Sequence, residues 1–502
     1  MEHWRGSWQH SPRVESVAAS LGFRVRKGGT KRMMQPKGME QKAPKKQGEV
    51  EGMEGDGFPV LRRNVAGADL GSESHWICAP TLDGTAREVE QFGASTAELE
   101  RAAQWMRERQ VESVAIESTG VYWIAPHEVW ERCGLEVVLV STRELSQVPG
   151  RKKTDRIDCK WIQRLHSCGL LRGSFRPAER VCMLRTLVRD RGVLAAEQAD
   201  WVRRMQKSLD QMNVRVHRAV SDITGVTGMT IIRAIVDGKR KPEELAALRQ
   251  PGCKKSPAEF VEQLTGNWRD DYLFSLAQGL KIYDAIGERI QTYQEEILRR
   301  LGEMERADHK DQEAPSLKNS NKAKMIRQRG EEPLRQAFYR MIGGDLTSID
   351  GVGVEVLQTF VAHYGYDLSM FPDEKKLVAH LRLAPRQPIT GGKPIKNPKK
   401  RGTGSTRVAE ALRQAAFSLQ HSKTALGAYF RHVARRKGPD VAAFATSRKI
   451  AIYIYRMLRW GQPYVDAGAE AQEKVYEIAR LSYLKTFAAS LGFQLVPKAA
   501  NA

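Results

Sequence analysis

Residues 63–93 read "RNVAGADLGSESHWICAPTLDGTAREVEQFG". An apolar run from Val65 ends in Asp69 and Gly71, and "HWICAPTL" (75–82) and "TAREVEQFG" (85–93) follow after short, turn-like connections. Three such segments in succession predict a meander of strands. Working outward, "TAELERAAQWMRERQ" (96–110) has a helical opening and composition, with Thr96 as its N-cap candidate. Next come the strand "ESVAIES" (112–118), the helix-like "VYWIAPHEVWERCG" (121–134), the strand "LEVVLVS" (135–141) and the helix "DRIDCKWIQRLHSCG" (155–169). The order β-β-β-α-β-α-β-α predicts an α/β unit, a mixed sheet covered by helices.

That order gives four acids a common address. Asp69 ends the first strand and Glu117 the fourth, and these two strands can be neighbours in such a sheet. Asp155 and Asp158 open a helix at i, i+3 spacing, which puts both on one face. Any one of them alone is more often a cap or a solvated charge. Four crowded carboxylates repel unless a cation compensates. Mg²⁺ suits them, because it takes one or two carboxylates together with waters and phosphate oxygens. Two such ions roughly 4 Å apart stabilise the attacking and leaving oxygens of a phosphodiester displacement. Arg151, Lys152 and Lys153, just before the helix, would hold a phosphate backbone beside the metal.

The balance of charge agrees. In 502 residues, 81 Lys and Arg face 59 Asp and Glu, a formal net charge of +22, so a polyanion is the expected partner. A membrane is not, since no stretch approaches the ~18 apolar residues of a span and the N-terminus has no apolar signal core. A cytoplasmic location at the bacterial nucleoid is expected. The six cysteines are scattered without a C-x-x-C pair, which points to free thiols and not to zinc or disulfides.

The chain divides by pattern. Residues 1–58 lack periodicity and are expected to be a disordered basic extension, in which Met33, Met34, Met39 and Met53 leave room for a later translation start. The α/β unit spans 59–177. Residues 178–301 are helical, with one seam of Leu184, Leu187, Leu194, Trp201, Met205 and Met212 and another running from Tyr283 through Ile286, Ile290, Tyr293 and Ile297 to Leu301. Such seams fit a coiled-coil insert, an oligomerisation arm or an internal core pair. The polar stretch 302–333 is expected to be a linker, 334–485 a mainly helical C-terminal domain, and 486–502 a tail.

Two features of the C-terminal domain face nucleic acid in this pattern. "LTSIDGVGVEVLQTFVAHYG" (346–365) places Gly351 and Gly353 in a turn before a helix, either a helix-hairpin-helix phosphate site or an ordinary turn between packed helices. "RLAPRQPITGGKPIKNPKKRGTGSTR" (382–407) holds eight Lys and Arg and no acid, which suits backbone contact by Lys393, Lys396, Lys399, Lys400 and Arg401. Further on, apolar helices carry Arg435, Arg436, Lys437, Arg448 and Lys449, some of them candidates to line a groove.

"VAGADLGSESHW" (65–76), "AIESTGVYW" (115–123), "VPGRKKTDRIDCKWIQRLHSCGLLRGSF" (148–175) and "LRLAPRQPITGGK" (381–393) closely resemble the DEDD transposases of the insertion-sequence-110 family of bacterial mobile elements. The likeness runs from about residue 62 to 466. It implies a RuvC-like domain of RNase H fold whose Asp69, Glu117, Asp155 and Asp158 bind Mg²⁺. It also implies a C-terminal hydroxyl nucleophile just before Gly-Gly-Lys, where this chain has Thr390 in place of the family serine; Ser405 is a fallback outside the motif. Threonine supplies the same oxygen with an extra methyl that crowds attack. The family further implies DNA as substrate, an active site shared between subunits of a homo-oligomer, and a structured guide RNA. Arg185, Arg189, Arg191, Arg203, Arg204 and Lys207 are candidates to grip that RNA by shape and phosphate. Two rivals stand beside a recombinase: a junction-resolving nuclease without a covalent step, and a non-catalytic nucleic-acid-binding relative.

Overall fold

The computed structural model describes residues 51–52, 59–118, 120–145, 154–385, 389–391, 393–394 and 406–496, which form two units that part between Ser174 and Phe175. In the first, strands β1 (Glu51–Gly52), β2 (Val65–Leu70), β3 (Ser74–Pro80), β4 (Ala86–Gly93), β5 (Ser113–Glu117) and β6 (Glu136–Val140) lie in the order β1-β4-β3-β2-β5-β6. β2, β3 and β4 are the antiparallel meander, and β5 runs parallel to both β2 and β6. The expected extension 1–58 lies outside the described residues except for Glu51 and Gly52, which pair with Arg87 and Ala86 at the sheet edge.

Strand alternation assigns each side chain to one of two covered faces. Ala66, Ala68 and Ile116 pack with Leu99, Met106 and Trp130 of helices α1 (Thr96–Glu108) and α2 (Ile124–Arg132). Trp130 locks that layer by donating its indole N–H to the Leu99 carbonyl at 3.0 Å. The cap of α1 is Ser95 and not Thr96: the Ser95 hydroxyl accepts from the Glu98 N–H, while Thr96 is already helical. The opposite face carries Ala115 and Val140, which pack with Ile162 and Leu165 of α4 (Asp155–Ser167); a short α3 (Thr142–Leu145) adds Leu145. A mixed sheet of this order with helices on both faces is the RNase H-like α/β architecture.

The second unit is helical apart from one short hairpin. Its longest helices, α5 (Glu179–Gln211) and α10 (Asp270–Gly302), pair antiparallel: Gly279 faces Met205, and the Gln198 side chain donates to the Tyr283 carbonyl at 3.1 Å. Between them α6 (Val216–Ala219), α7 (Val226–Val236), α8 (Pro242–Ala246) and α9 (Pro257–Leu264) close a separate core around Ile231, Ile232 and Phe260. At the other end Leu184, Ile297 and Leu301 enter the C-terminal core with Phe338, Phe360 and Tyr455. Mid-seam, Leu187, Leu194, Trp201, Ile286, Ile290 and Tyr293 are only half-buried, because two helices cannot close around a seam.

Residues 302–333, expected to be a linker, hold helix α11 (Ser320–Gln328) with Ile326 in the C-terminal core. Lys322 donates from Nζ to the carbonyls of Thr347 and, at 3.0 Å, Ile349. The remaining elements are α12 (Glu332–Ile342), a 3₁₀ turn (Leu346–Ser348), α13 (Val354–Tyr364), α14 (Glu374–His380), β7 (Ile389–Thr390), β8 (Lys393–Pro394), α15 (Arg407–Ser418), α16 (Ala425–Lys437), α17 (Pro439–Trp460) and α18 (Ala469–Ser490). The tail expected from 486 thus begins inside α18.

Candidate active site

The site begins with a glycine in a strand. Gly67 on β2 leaves room for α4 to cross at backbone contact: a Cβ there would overlap the Gln163 backbone nitrogen and stand 2.7 Å from the Cys159 carbonyl oxygen. Gln163, almost wholly buried, fixes the crossing by donating from Nε2 to the Val65 carbonyl at 3.2 Å and accepting from Arg87 at 3.4 Å. The next strand is held by Ser113 Oγ, 2.9 Å from His166 Nε2. Burial, with Arg62 adding, lowers the His166 pKa to about 4 and keeps the ring neutral. Ser113 and Val65 start their strands while His166 and Gln163 lie late in α4, so α4 runs opposite to β2 and β5 and its start lies toward their C-terminal ends.

Those ends carry the acids. Ala68 pairs with Ile116, so one further step sets Asp69 level with Glu117. Both fall on the α4 face, two residues on from Gly67 and Ala115. At the start of α4, the Thr154 hydroxyl caps the helix by accepting from the Ile157 N–H at 3.3 Å, with Asp155 and Asp158 in the first turn, where the helix dipole favours negative charge. Asp155 is exposed and Asp158 half-buried. Burial, with Cys78 and Asp69 contributing, pushes the Cys159 thiol well up, which makes it a packing group and not a nucleophile.

Asp69 and Glu117 therefore leave the sheet on the face that α4 covers, at the end toward which α4 starts with Asp155 and Asp158 in its first turn. Among the described residues, no three His, Cys, Asp or Glu side chains stand close enough together to hold a metal ion. The donor set nonetheless fits one class of ion: carboxylate oxygens alone suit a hard cation that completes its shell with water and phosphate. Arg151, Lys152 and Lys153 lie outside the described residues. Nothing local in the sequence marks Gln163; for Gly67, a glycine inside an apolar strand is the available signal for a close backbone approach.

In the second unit, Thr390 pairs with Lys393 across a tight hairpin in which Gly391 takes a left-handed φ of 55°. Lys396, Lys399, Lys400, Arg401 and Ser405 lie outside the described residues. Gly351 has φ 81°, and a Cβ there would meet the Ala415 carbonyl at 2.7 Å, so it serves close packing on α15. Gly353 is the open N-cap of α13. Arg185 donates to the carbonyls of Ala362 and His363 at the end of α13, and Arg191 to Gln358, so these two cations are engaged in packing. Arg203, Arg204 and Lys207 stay exposed.

Two family models match the chain. Residues 66–214 match a family described as "Transposase", the DEDD domain of the IS110 type, and residues 344–431 match "Transposase IS116/IS110/IS902 family". No curated protein matches. No helix among the described residues is long and apolar enough to cross a membrane.

Proposed function

The chain belongs to the IS110 family of transposases and is a DNA recombinase; from that premise we propose that Asp69, Glu117, Asp155 and Asp158 hold Mg²⁺ and that Thr390 is the nucleophile. What supports the metal assignment is the crossing at Gly67, from which α4 runs back so that its start points toward the C-terminal ends of β2 and β5. Bound there, Mg²⁺ would neutralise charge on the phosphate oxygens of the strand being cut. The acids bind and orient it. Thr390 contributes a hydroxyl: its oxygen bonds to phosphorus, its proton leaves to a base or water, and the scissile P–O bond breaks to free a DNA hydroxyl. The threonyl phosphodiester conserves the bond's energy, so that hydroxyl or another can attack it in reverse to rejoin strands. The tight Thr390–Lys393 hairpin, followed by Lys396, Lys399, Lys400 and Arg401, supports this by keeping cations close in sequence to the hydroxyl.

The finer partners belong to the same proposal. The exposed Arg203, Arg204 and Lys207 supply phosphate contacts for a structured guide RNA. The half-buried residues of the α5/α10 seam offer a surface to a second copy, so the proposal includes a homo-oligomer on the DNA; where that DNA is the bacterial chromosome, the protein works in the cytoplasm at the nucleoid.

One experiment tests these together. Full-length protein, DNA of the element's ends, RNA transcribed from those ends and Mg²⁺ are incubated, and protein attached covalently to a DNA strand is resolved under denaturing conditions. Attached strand is expected to appear, to increase with Thr390→Ser, to vanish with Thr390→Ala and to require the RNA. Full strand cleavage by Thr390→Ala would instead identify a nuclease without a covalent step.

A further inference from the structure

A cavity of about 850 Å³ opens in the second unit between α16, α17, the Arg382–Pro385 turn and Tyr476 of α18. That is within the roughly 300–1,000 Å³ of ligand pockets. Five cations line it, Arg382, Arg436, Lys437, Arg448 and Lys449, and among the described residues no carboxylate does. Glu473 and Glu477 face the neighbouring groove instead.

The cations are poorly compensated. Among the described residues, Arg436, Lys437, Arg448 and Lys449 form no ion pair, and the buried Arg448 Nε has no hydrogen-bond acceptor. Lys449 Nζ sits 3.9 Å from the Tyr429 ring centroid, and burial lowers its pKa. Arg436 and Lys437 are exposed and Arg448 and Lys449 half-buried, and half-buried cations without a counter-charge favour an anionic ligand.

Between the cations the wall is aromatic. Tyr476 stacks on His432 with centroids 4.0 Å apart, and Phe444 is 44 % exposed, with Tyr429 beside Lys449. Rings interleaved with Arg and Lys suit an unpaired nucleotide, whose base stacks while its phosphate is paired. Tyr476 and Tyr429 are already engaged by His432 and Lys449, so Phe444, which Arg413 contacts at 4.9 Å but which stays exposed, is the ring open to a base, and an acidic peptide would not stack on it. The chain's own adjoining stretch, 386–405, carries six Lys and Arg and no acid, so like charge opposes its filling the cavity.

We propose that this cavity receives one unpaired nucleotide of the DNA strand being exchanged, its base against Phe444 and its phosphate on Arg436 and Arg448. This rests on the recombinase function: cutting and re-pairing strands exposes unpaired nucleotides, and Arg382–Pro385 leads within a few residues to the Thr390 hairpin.

The test measures binding of full-length protein in EDTA, which suppresses cleavage, to a fluorescein-labelled 15-nucleotide DNA single strand, its duplex and the RNA of the same sequence. Phe444→Ala is expected to weaken single-stranded DNA roughly tenfold and duplex less than twofold, as loss of one stacked base implies. Arg448→Gln should act in the same direction. An equal loss on single strand and duplex, no loss on the single strand, or a loss confined to RNA would overturn the proposal. If Phe444→Ala does not fold, 5-iodouracil photocrosslinking of the wild type decides: adducts on Tyr429, Phe444 or Tyr476 support the site, and adducts only elsewhere refute it. Mg²⁺-dependent cleavage is scored separately. Selective single-strand binding without any cleavage would sink the recombinase mechanism and leave the pocket, whereas cleavage without selective loss would sink the pocket alone.

Discussion

Asp69→Asn is expected to lower Mg²⁺-dependent strand cleavage by about 10³-fold or more, on the order of 4 kcal/mol of transition-state stabilisation. The amide keeps the size of the side chain but gives up the charge that binds a hard cation. Glu117→Gln, Asp155→Asn and Asp158→Asn should behave alike, and a double variant should cost little more than a single one, because ligands of one metal act as a unit. The control is Glu112→Gln, an exposed acid just before β5 at the other end of the sheet, which should leave cleavage unchanged. Cleavage profiles measured at matched protein stability check this.

Gly67→Ala is the second large effect, and it acts through the fold. The added methyl would overlap the Gln163 backbone and crowd the Cys159 carbonyl, neither of which is a flexible side-chain end. α4 must lift, breaking the Gln163 bond to Val65 and the Ile162 and Leu165 packing on Ala115. A loss of about 3 kcal/mol is expected, the upper range for overpacking. For a unit of this size that corresponds to a fall of roughly 10–20 °C in its melting temperature. Cleavage should fall with it, because the lifted helix carries Asp155 and Asp158 away from β2 and β5. Gly173→Ala is the matched control: its Cβ would meet only a Val138 methyl at 3.6 Å, an ordinary contact. A normal melt for Gly67→Ala would mean that α4 does not press on β2.

Much of this architecture is legible in the sequence. Short apolar runs bounded by turn-like connections locate β2 to β6, and their alternation with helical patterns allows β2 and β5 to be neighbours, as their parallel pairing bears out. What was illegible involves pairs distant in sequence. Gly67, a glycine inside an apolar strand, signals a close backbone approach but not that α4 is what approaches. Arg185 and Arg191 resembled free cations because their acceptors, the Ala362 and His363 carbonyls and Gln358, lie far along the chain. The polar stretch 302–333 concealed α11 because its tie is a lysine on backbone carbonyls, which leaves no mark in hydropathy. Likewise, Arg448, Lys449, Phe444 and Tyr429 each suited a helix surface or a core. Only packing α16 against α17 and Tyr476 makes them a cavity.

On the proposed function, the ends of β2 and β5 and the start of α4 gather around bound divalent metal. The most direct measurement replaces Mg²⁺ with Fe²⁺ in the full-length protein, generates hydroxyl radicals with ascorbate and peroxide, and maps backbone cuts by mass spectrometry. Cuts clustered at Asp69, Glu117 and Asp155–Asp158 together, suppressed by excess Mg²⁺ and lost in Asp69→Asn, are the expected result. Cuts at one of these segments alone, or a pattern indifferent to Mg²⁺ and to Asp69, would contradict it.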